Sequence, residues 1–264
     1  KTEPRRRGGA MKGVATGAAL VLISLGTLSV SDARCQTSRS QSDEEDIVND
    51  CFFRGMRNGS FVELGGLDGV TYSNTLMLDT CLQWRGALVE GSALNFRLLQ
   101  RNVRKLRRHV TAHFGAVCAA DKHFVSFVRG RGPVGGDVAT MSPGFKKTWY
   151  GNAAPVTVNV PCKPMSDYIG AAGHHVDFFS LDIEGAEMAA LSTIDFEKHT
   201  IDVFMIEMDD DTDERTAQIR SLLAGVGYTE CPGAVPRSGL FVHSRRADFM
   251  AACRSSYKGT RTKK

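Results

Sequence analysis

The chain has 264 residues, 42% hydrophobic and 23% charged, enough to bury a sizeable core and unlike collagen-like, coiled-coil or wholly disordered chains. Its net charge of +4 is a contrast between tails and body: residues 1–12 carry +4, residues 254–264 carry +5, and the 241 residues between them hold 23 bases against 28 acids. A nucleic-acid-binding core shows the opposite distribution, so no nucleic-acid partner is expected.

Residues 13–30 (GVATGAALVLISLGTLSV) follow a basic stretch and contain no charge. Ser31-Asp32-Ala33 then places small residues three and one before a cleavage point, as in a signal peptide, with Met11 able to serve as its start. The same run also fits an uncleaved signal anchor with its basic end in the cytosol. Residues 1–33 are therefore a signal peptide or signal anchor. Either places the body in the secretory pathway: in the ER or Golgi lumen, held to the membrane by residues 13–30, or secreted if cut near Ala33. Residues 34–46 (RCQTSRSQSDEED) have almost no apolar content and predict a flexible polar linker. The globular domain spans residues 47–246, and residues 247–264 predict a mobile basic tail.

Ser60 to Leu64 reads as a first strand, ending in a Gly-rich turn (Gly65-Gly66-Leu67-Asp68-Gly69), and Ser73 or Asn74 is placed to cap the next helix. Gly86 to Glu90 is a second strand. The helix after it sets Phe96, Leu99, Val103 and Leu106 on one side and Arg97, Arg101, Arg104, Lys105, Arg107 and Arg108 on the other. That basic side reads as a solvated face, with an anionic partner as the sharper alternative. Val110 to Ala119 is a third strand. Residues 129–161 are rich in Gly and Pro and carry Lys146, Lys147, Trp149 and Tyr150, a long loop or hairpin insertion of the kind that often holds an acceptor. Strands at Val176–Leu181, Ile201–Met208 and Gly239–His243, a helix near Thr216–Leu223 and an acidic turn at Asp209–Asp211 complete an α/β sandwich built on a parallel sheet. Seven scattered cysteines without CxxC spacing exclude a zinc module and fit buried thiols, or one or two disulfides with spares.

Two strand-end acids, Glu63 and Glu90, flank the Gly-rich turn. A glycine turn lets backbone approach a ligand, and a carboxylate at the second strand's end can accept both ribose hydroxyls, so the ordered set describes a nucleoside pocket. GGLDG lacks the GxGxxG of an NAD site. Asp182, Glu184, Glu187 and Glu207 converge on one sheet edge as candidate general bases, Asp182 first. Such carboxylates can also hold a hard divalent cation, although nothing in the sequence calls for one and no metal ligand is assigned.

FVELGGLDGVTYSNT (61–75), WRGALVEGSALNF (84–96), VDFFSLDIEGAE (176–187) and IDVFMIE (201–207) resemble FkbM-type methyltransferases, with D-x-E-G-x-E the most specific element. The resemblance runs from about Phe61 to His243. It implies a Rossmann-like class I methyltransferase sandwich: a mostly parallel seven-stranded sheet, last strand antiparallel, helices on both faces. It further implies S-adenosyl-L-methionine as cofactor and O-methylation, often of sugar hydroxyls, with a small-molecule or glycan acceptor. Carried over residue by residue, Glu63, Gly65 and Gly69 line the methionine side and Glu90 the ribose, with Gly66, Asp68, Asn74 and Asp182 also cofactor-binding. Asp182 sits beside the transferred methyl, and Asp182, Glu184 and Glu207 are the catalytic candidates. The same resemblance extends to Star-like membrane proteins, non-catalytic relatives associated with ER-to-Golgi or endosomal trafficking of cargo. The presence of Glu63, Gly65, Gly69, Glu90 and Asp182 favours the enzyme.

Overall fold

The computed structural model describes residues 35–130, 132–208 and 213–256. The leader, the acidic turn at Asp209–Asp211 and the extreme basic end lie outside the described residues.

In chain order, helix α1 (Glu44–Val48) runs into a π-helical turn, Asn49–Phe53, and is followed by β1 (Ser60–Leu64), α2 (Leu76–Leu82), β2 (Arg85–Glu90), α3 (Ala93–Lys105) and β3 (Val110–Phe114). Then come β4 (Ala116–Val117), β5 (Phe124–Val128), α4 (Pro143–Tyr150), β6 (Thr157–Lys163), α5 (Met165–Ala172) and β7 (His175–Leu181). The chain continues through α6 (Glu187–Leu191), β8 (Thr200–Glu207), α7 (Asp213–Gly225), β9 (Tyr228–Val235), β10 (Ser238–His243) and α8 (Ala247–Ser256).

Seven strands form the main sheet in the order β3-β2-β1-β7-β8-β10-β9, all parallel except β10. The central strands read as unbroken apolar runs because both of their faces are covered. Along β8, Phe204 and Ile206 pack with α5, α6 and α7, while Val203 and Met205 face the layer containing the Asn49–Phe53 turn, α2, α3 and α8. The strand order reverses between β1 and β7, which places a ligand crevice outside their carboxyl ends.

Several expectations need correction. The third strand divides: β3 stays in the main sheet, while β4 pairs with β6 in a separate sheet of order β4-β6-β5, fastened by the Cys118–Cys162 disulfide. Of the two readings of the insertion, the hairpin holds: β5 and β6 pair antiparallel, with α4 between them. Residues 35–46 are not a loose linker, because Cys35 is bonded to Cys81 and Glu44 and Glu45 are buried in α1. The segment after Arg246 is likewise no free tail through α8: Phe249, Ala252 and Cys253 are buried, and Cys253 is bonded to Cys231. There are thus three disulfides, more than expected, and Cys51 is the remaining thiol. Closing loops of 46, 44 and 22 residues, they contribute about 3 to 4 kcal/mol each by the chain-entropy argument. Arg107 is fully buried rather than part of a solvated basic face. Thr75 occupies the cap position of α2, because Ser73 and Asn74 are bonded elsewhere. Among the described residues no helix is long and apolar enough to cross a membrane.

Candidate functional site

A cavity of about 300 Å³ opens at the carboxyl edge of the sheet, across the ends of β1, β2, β7 and β8. Glu63 closes its floor. This carboxylate is buried, and its oxygens accept the Ser73 hydroxyl at 2.9 Å, the Asn74 amide at 2.9 Å and the Thr75 hydroxyl at 2.5 Å. Glu63 therefore shapes the loop that presents Asn74. Asn74 donates through Nδ2 to Ser180 Oγ at 3.0 Å, while its buried Oδ1 has no partner among the described residues.

The Gly-rich turn splits in two. Gly65 and Leu67 line the cavity, whereas Gly66, Asp68 and Gly69 do not. The latter three build the turn, which folds back on β2 and α3. Gly66 donates to Val89 O, and Asp68 accepts the Val70 and Thr71 amides. Gly69 packs so closely that a Cβ would lie 2.6 Å from Leu99 Cδ1. The three hold the turn that brings Gly65 and Leu67 to the cavity.

Glu90, at the end of β2, accepts the Ser92 amide at 2.5 Å and the Leu67 amide at 2.9 Å. Burial pushes its carboxyl up to about 7, against the pull of those amides. Asp182, Glu184 and Glu207 all line the opposite end, as expected, with Glu207 paired to Arg237 at 2.9 Å. Glu187 is no base candidate. It is buried, its Oε1 accepts the Ile183 and Gly185 amides at 3.1 Å each, and burial pushes its pKa up. It holds the tight turn in which Glu184 adopts a left-handed φ of 58° and faces the cavity.

No cluster of metal-ligating groups forms at the cavity among the described residues. The one such grouping, His175, Asp177 and Asp202, sits at the amino ends of β7 and β8, where Asp202 is held by Arg245 and Arg246.

Sequence reasoning missed the cavity's roof. Gly132 to Gly135, from the insertion, cover it and are pinned to α3: Asn95 donates to Gly132 O at 2.9 Å and accepts its amide at 3.1 Å, and Ser92 donates to Gly130 O at 2.6 Å. Nothing in the residue types at 92 and 95 betrays this pairing beyond Ser92's suitability as a cap. Trp149, singled out in the insertion, stands half-exposed at the mouth on α4, whose Ser142 cap and following Pro143 are a legible helix start.

No curated protein matches the chain. Among solved structures, an FkbM methyltransferase from Methylobacillus flagellatus KT is 17% identical with a TM-score of 0.42, over 73% of this chain and 46% of that one. This chain therefore spans less than half the length of that relative. A precorrin-6y C5,15-methyltransferase from Geobacter metallireducens GS-15 is 10% identical with a TM-score of 0.37, over 75% and 85% of the two chains. A SAM-dependent methyltransferase from Aquifex aeolicus is 10% identical with a TM-score of 0.38, over 76% and 88%. The family model of the methyltransferase FkbM domain matches residues 63–230, from the Glu63 floor to β9. With well over half of its length inside that match, the chain belongs to the FkbM methyltransferase family.

Proposed function

We propose that the protein is an S-adenosyl-L-methionine-dependent O-methyltransferase that methylates a hydroxyl of a sugar or glycan in the secretory pathway. The observation that carries this reading is the orphaned Asn74 Oδ1 on a cavity wall flanked by Glu90 and Asp182. A buried acceptor without a donor costs about 1 to 3 kcal/mol, which a ligand's ammonium group offsets by donating to it. Glu90, which the Ser92, Leu67 and Gly91 amides and the Asn95 side chain hold at the end of β2, is placed to accept a ribose diol. These features fit the cofactor, which when bound supplies an electrophilic methyl group.

The chain's own residues supply position and proton transfer. Asp182 takes the proton of the acceptor hydroxyl, the Gly132–Gly135 roof limits water, and the turn held by Glu187 fixes Asp182 and Glu184 relative to the sheet. The three disulfides support an oxidising compartment, in keeping with a leader at residues 1–33 that is cleaved or retained as a membrane anchor.

Calorimetric titration of S-adenosylhomocysteine into the full chain tests the cofactor. Micromolar binding is expected; none by a folded protein would sink the enzyme and leave the non-catalytic trafficking role. Two further outcomes follow from the side chains. Asp182→Asn should lower kcat by about 100-fold or more while leaving cofactor affinity nearly intact. Unchanged turnover would move the proton transfer to another carboxylate. Glu90 ionises near neutrality, and its ionised form is the one that accepts hydroxyls. Affinity for S-adenosylhomocysteine should therefore rise about tenfold between about pH 6 and pH 8, as deprotonation is no longer charged against binding. Glu90→Gln should flatten the profile; a flat wild-type profile would exclude Glu90 as the ribose acceptor.

A further inference from the structure

The stretch whose composition suggests a tether reaches the cavity instead. Residues 35–43 form a strap along α2, fixed at both ends. Cys35 is bonded to Cys81, and Gln36 donates its amide to Thr80 Oγ1 at 3.0 Å. At the other end, Glu45 Oε1 accepts the Leu78 amide at 3.0 Å, and Ser40 Oγ accepts the Glu45 amide at 3.3 Å. Gln41, next to the Ser40 anchor, is exposed and lines the cavity. A second hollow of about 30 Å³ opens beside it at the ends of β7, β8 and β10, and shares six lining residues with the main cavity, Asp182, Glu207 and Arg237 among them. Glu90 lies at the far side, on β2. Gln41 and Arg237 both fall outside the matched residues 63–230, while Asn74, Ser180, Asp182 and Glu207 of the same wall fall inside it.

Charge narrows what the wall can take. Among the described residues at this end, Asp137, Asp182, Glu184 and Glu207 line the cavity against two guanidinium groups, Arg237, which is paired to Glu207, and Arg215, which stands behind the Glu184–Gly185 turn. An anionic group meets net repulsion there, whereas hydroxyls find an amide and an ion pair that both donate and accept.

We propose that the strap is a wall of the acceptor subsite and that Gln41 is a specificity-determining residue recognising an uncharged, hydroxyl-rich group beside Asp182. The Cys35–Cys81 disulfide positions it, sparing the subsite the entropy of ordering a free segment. This rests on the methyltransferase reading above.

The test uses the full chain, Gln41→Ala, and a Cys35→Ser/Cys81→Ser double variant. S-adenosylhomocysteine affinity is measured by calorimetry, and initial rates are measured with methyl-labelled S-adenosylmethionine on neutral methyl hexosides and the corresponding methyl glucuronides. Cofactor affinity should stay within about twofold of wild type in both variants, while KM for the neutral glycoside rises about tenfold, one hydrogen bond's worth, and glucuronides are refused by the wild type. That split between acceptor KM and cofactor affinity is one a merely structural strap would not produce. Unchanged KM in both variants, or equal use of glucuronides, overturns the subsite. Wild type that binds the cofactor product but methylates no glycoside overturns the sugar acceptor and the subsite with it. Wild type that binds no cofactor product overturns the methyltransferase reading itself.

Discussion

Gly65→Ala is expected to lower the melting temperature by about 10 °C and to weaken S-adenosylhomocysteine binding at least about tenfold. Gly65 sits where β1 leaves the sheet, at a φ of +86°, with its amide donated to Val89 O. A Cβ there would lie 1.8 Å from the carbonyl oxygen of Asp182, which is backbone and cannot swing aside. Left-handed strain and the overlap together come to about 3 kcal/mol, relieved only by parting the ends of β1 and β7. That parting displaces Asp182 and removes Asn74 from Ser180, so stability and binding should fall together. A variant that melts within about 2 °C of wild type and binds normally would show that the two strand ends are not in contact.

The same residue shows what the sequence could and could not convey. A glycine after a strand-end acid is legible as a site feature, and so is its place at the cavity. A second reason is not: Gly65 is also required by a carbonyl more than a hundred residues away. Strand positions followed directly from apolar runs, since β1, β2, β7, β8 and β10 are buried on both faces and bounded by turns. The missed main-sheet strand, β9, carries Glu230, Pro232 and Gly233 at the sheet's edge, a composition that reads as loop. Residues 35–46 misled for a related reason. Their polarity is real, but Cys35 supplies an anchor whose partner no spacing reveals, and Glu45 is buried by the packing of α1 against α2. At the site, acids at strand ends were found by type and position, whereas their division of labour depends on hydrogen-bond partners. Glu63 and Glu187 spend their oxygens on backbone and hydroxyl groups, while Asp182 and Glu184 line the cavity wall.

Arg107→Met should cost about 4 kcal/mol at neutral pH, the usual penalty for leaving buried carboxylates without their cation. Helical periodicity puts Arg107 among surface bases, yet it is fully buried just past the end of α3. It donates to Asp79 Oδ2 at 3.3 Å, Gly69 O at 3.1 Å, Ser73 Oγ at 3.0 Å and both Thr75 oxygens at 2.7 Å, and lies 3.7 Å from Glu63. One side chain thus ties β1, the Gly-rich turn and α2 together. Burial pushes the Asp79 carboxyl up and Arg107 pulls it down, so removing the guanidinium raises it further. A carboxyl whose folded pKa exceeds its unfolded value contributes stability below the unfolded pKa and loses it as pH rises through the folded one. The gap between Arg107→Met and wild type should therefore be smallest near about pH 4 and widen toward about pH 8. Adding Asp79→Asn should recover part of the loss, because it removes one of the stranded charges. Denaturant melts of the single and double variants across that range decide the matter. A gap that does not change with pH, or a double variant no more stable than Arg107→Met, would mean that lost packing, rather than an unpaired carboxylate, sets the cost.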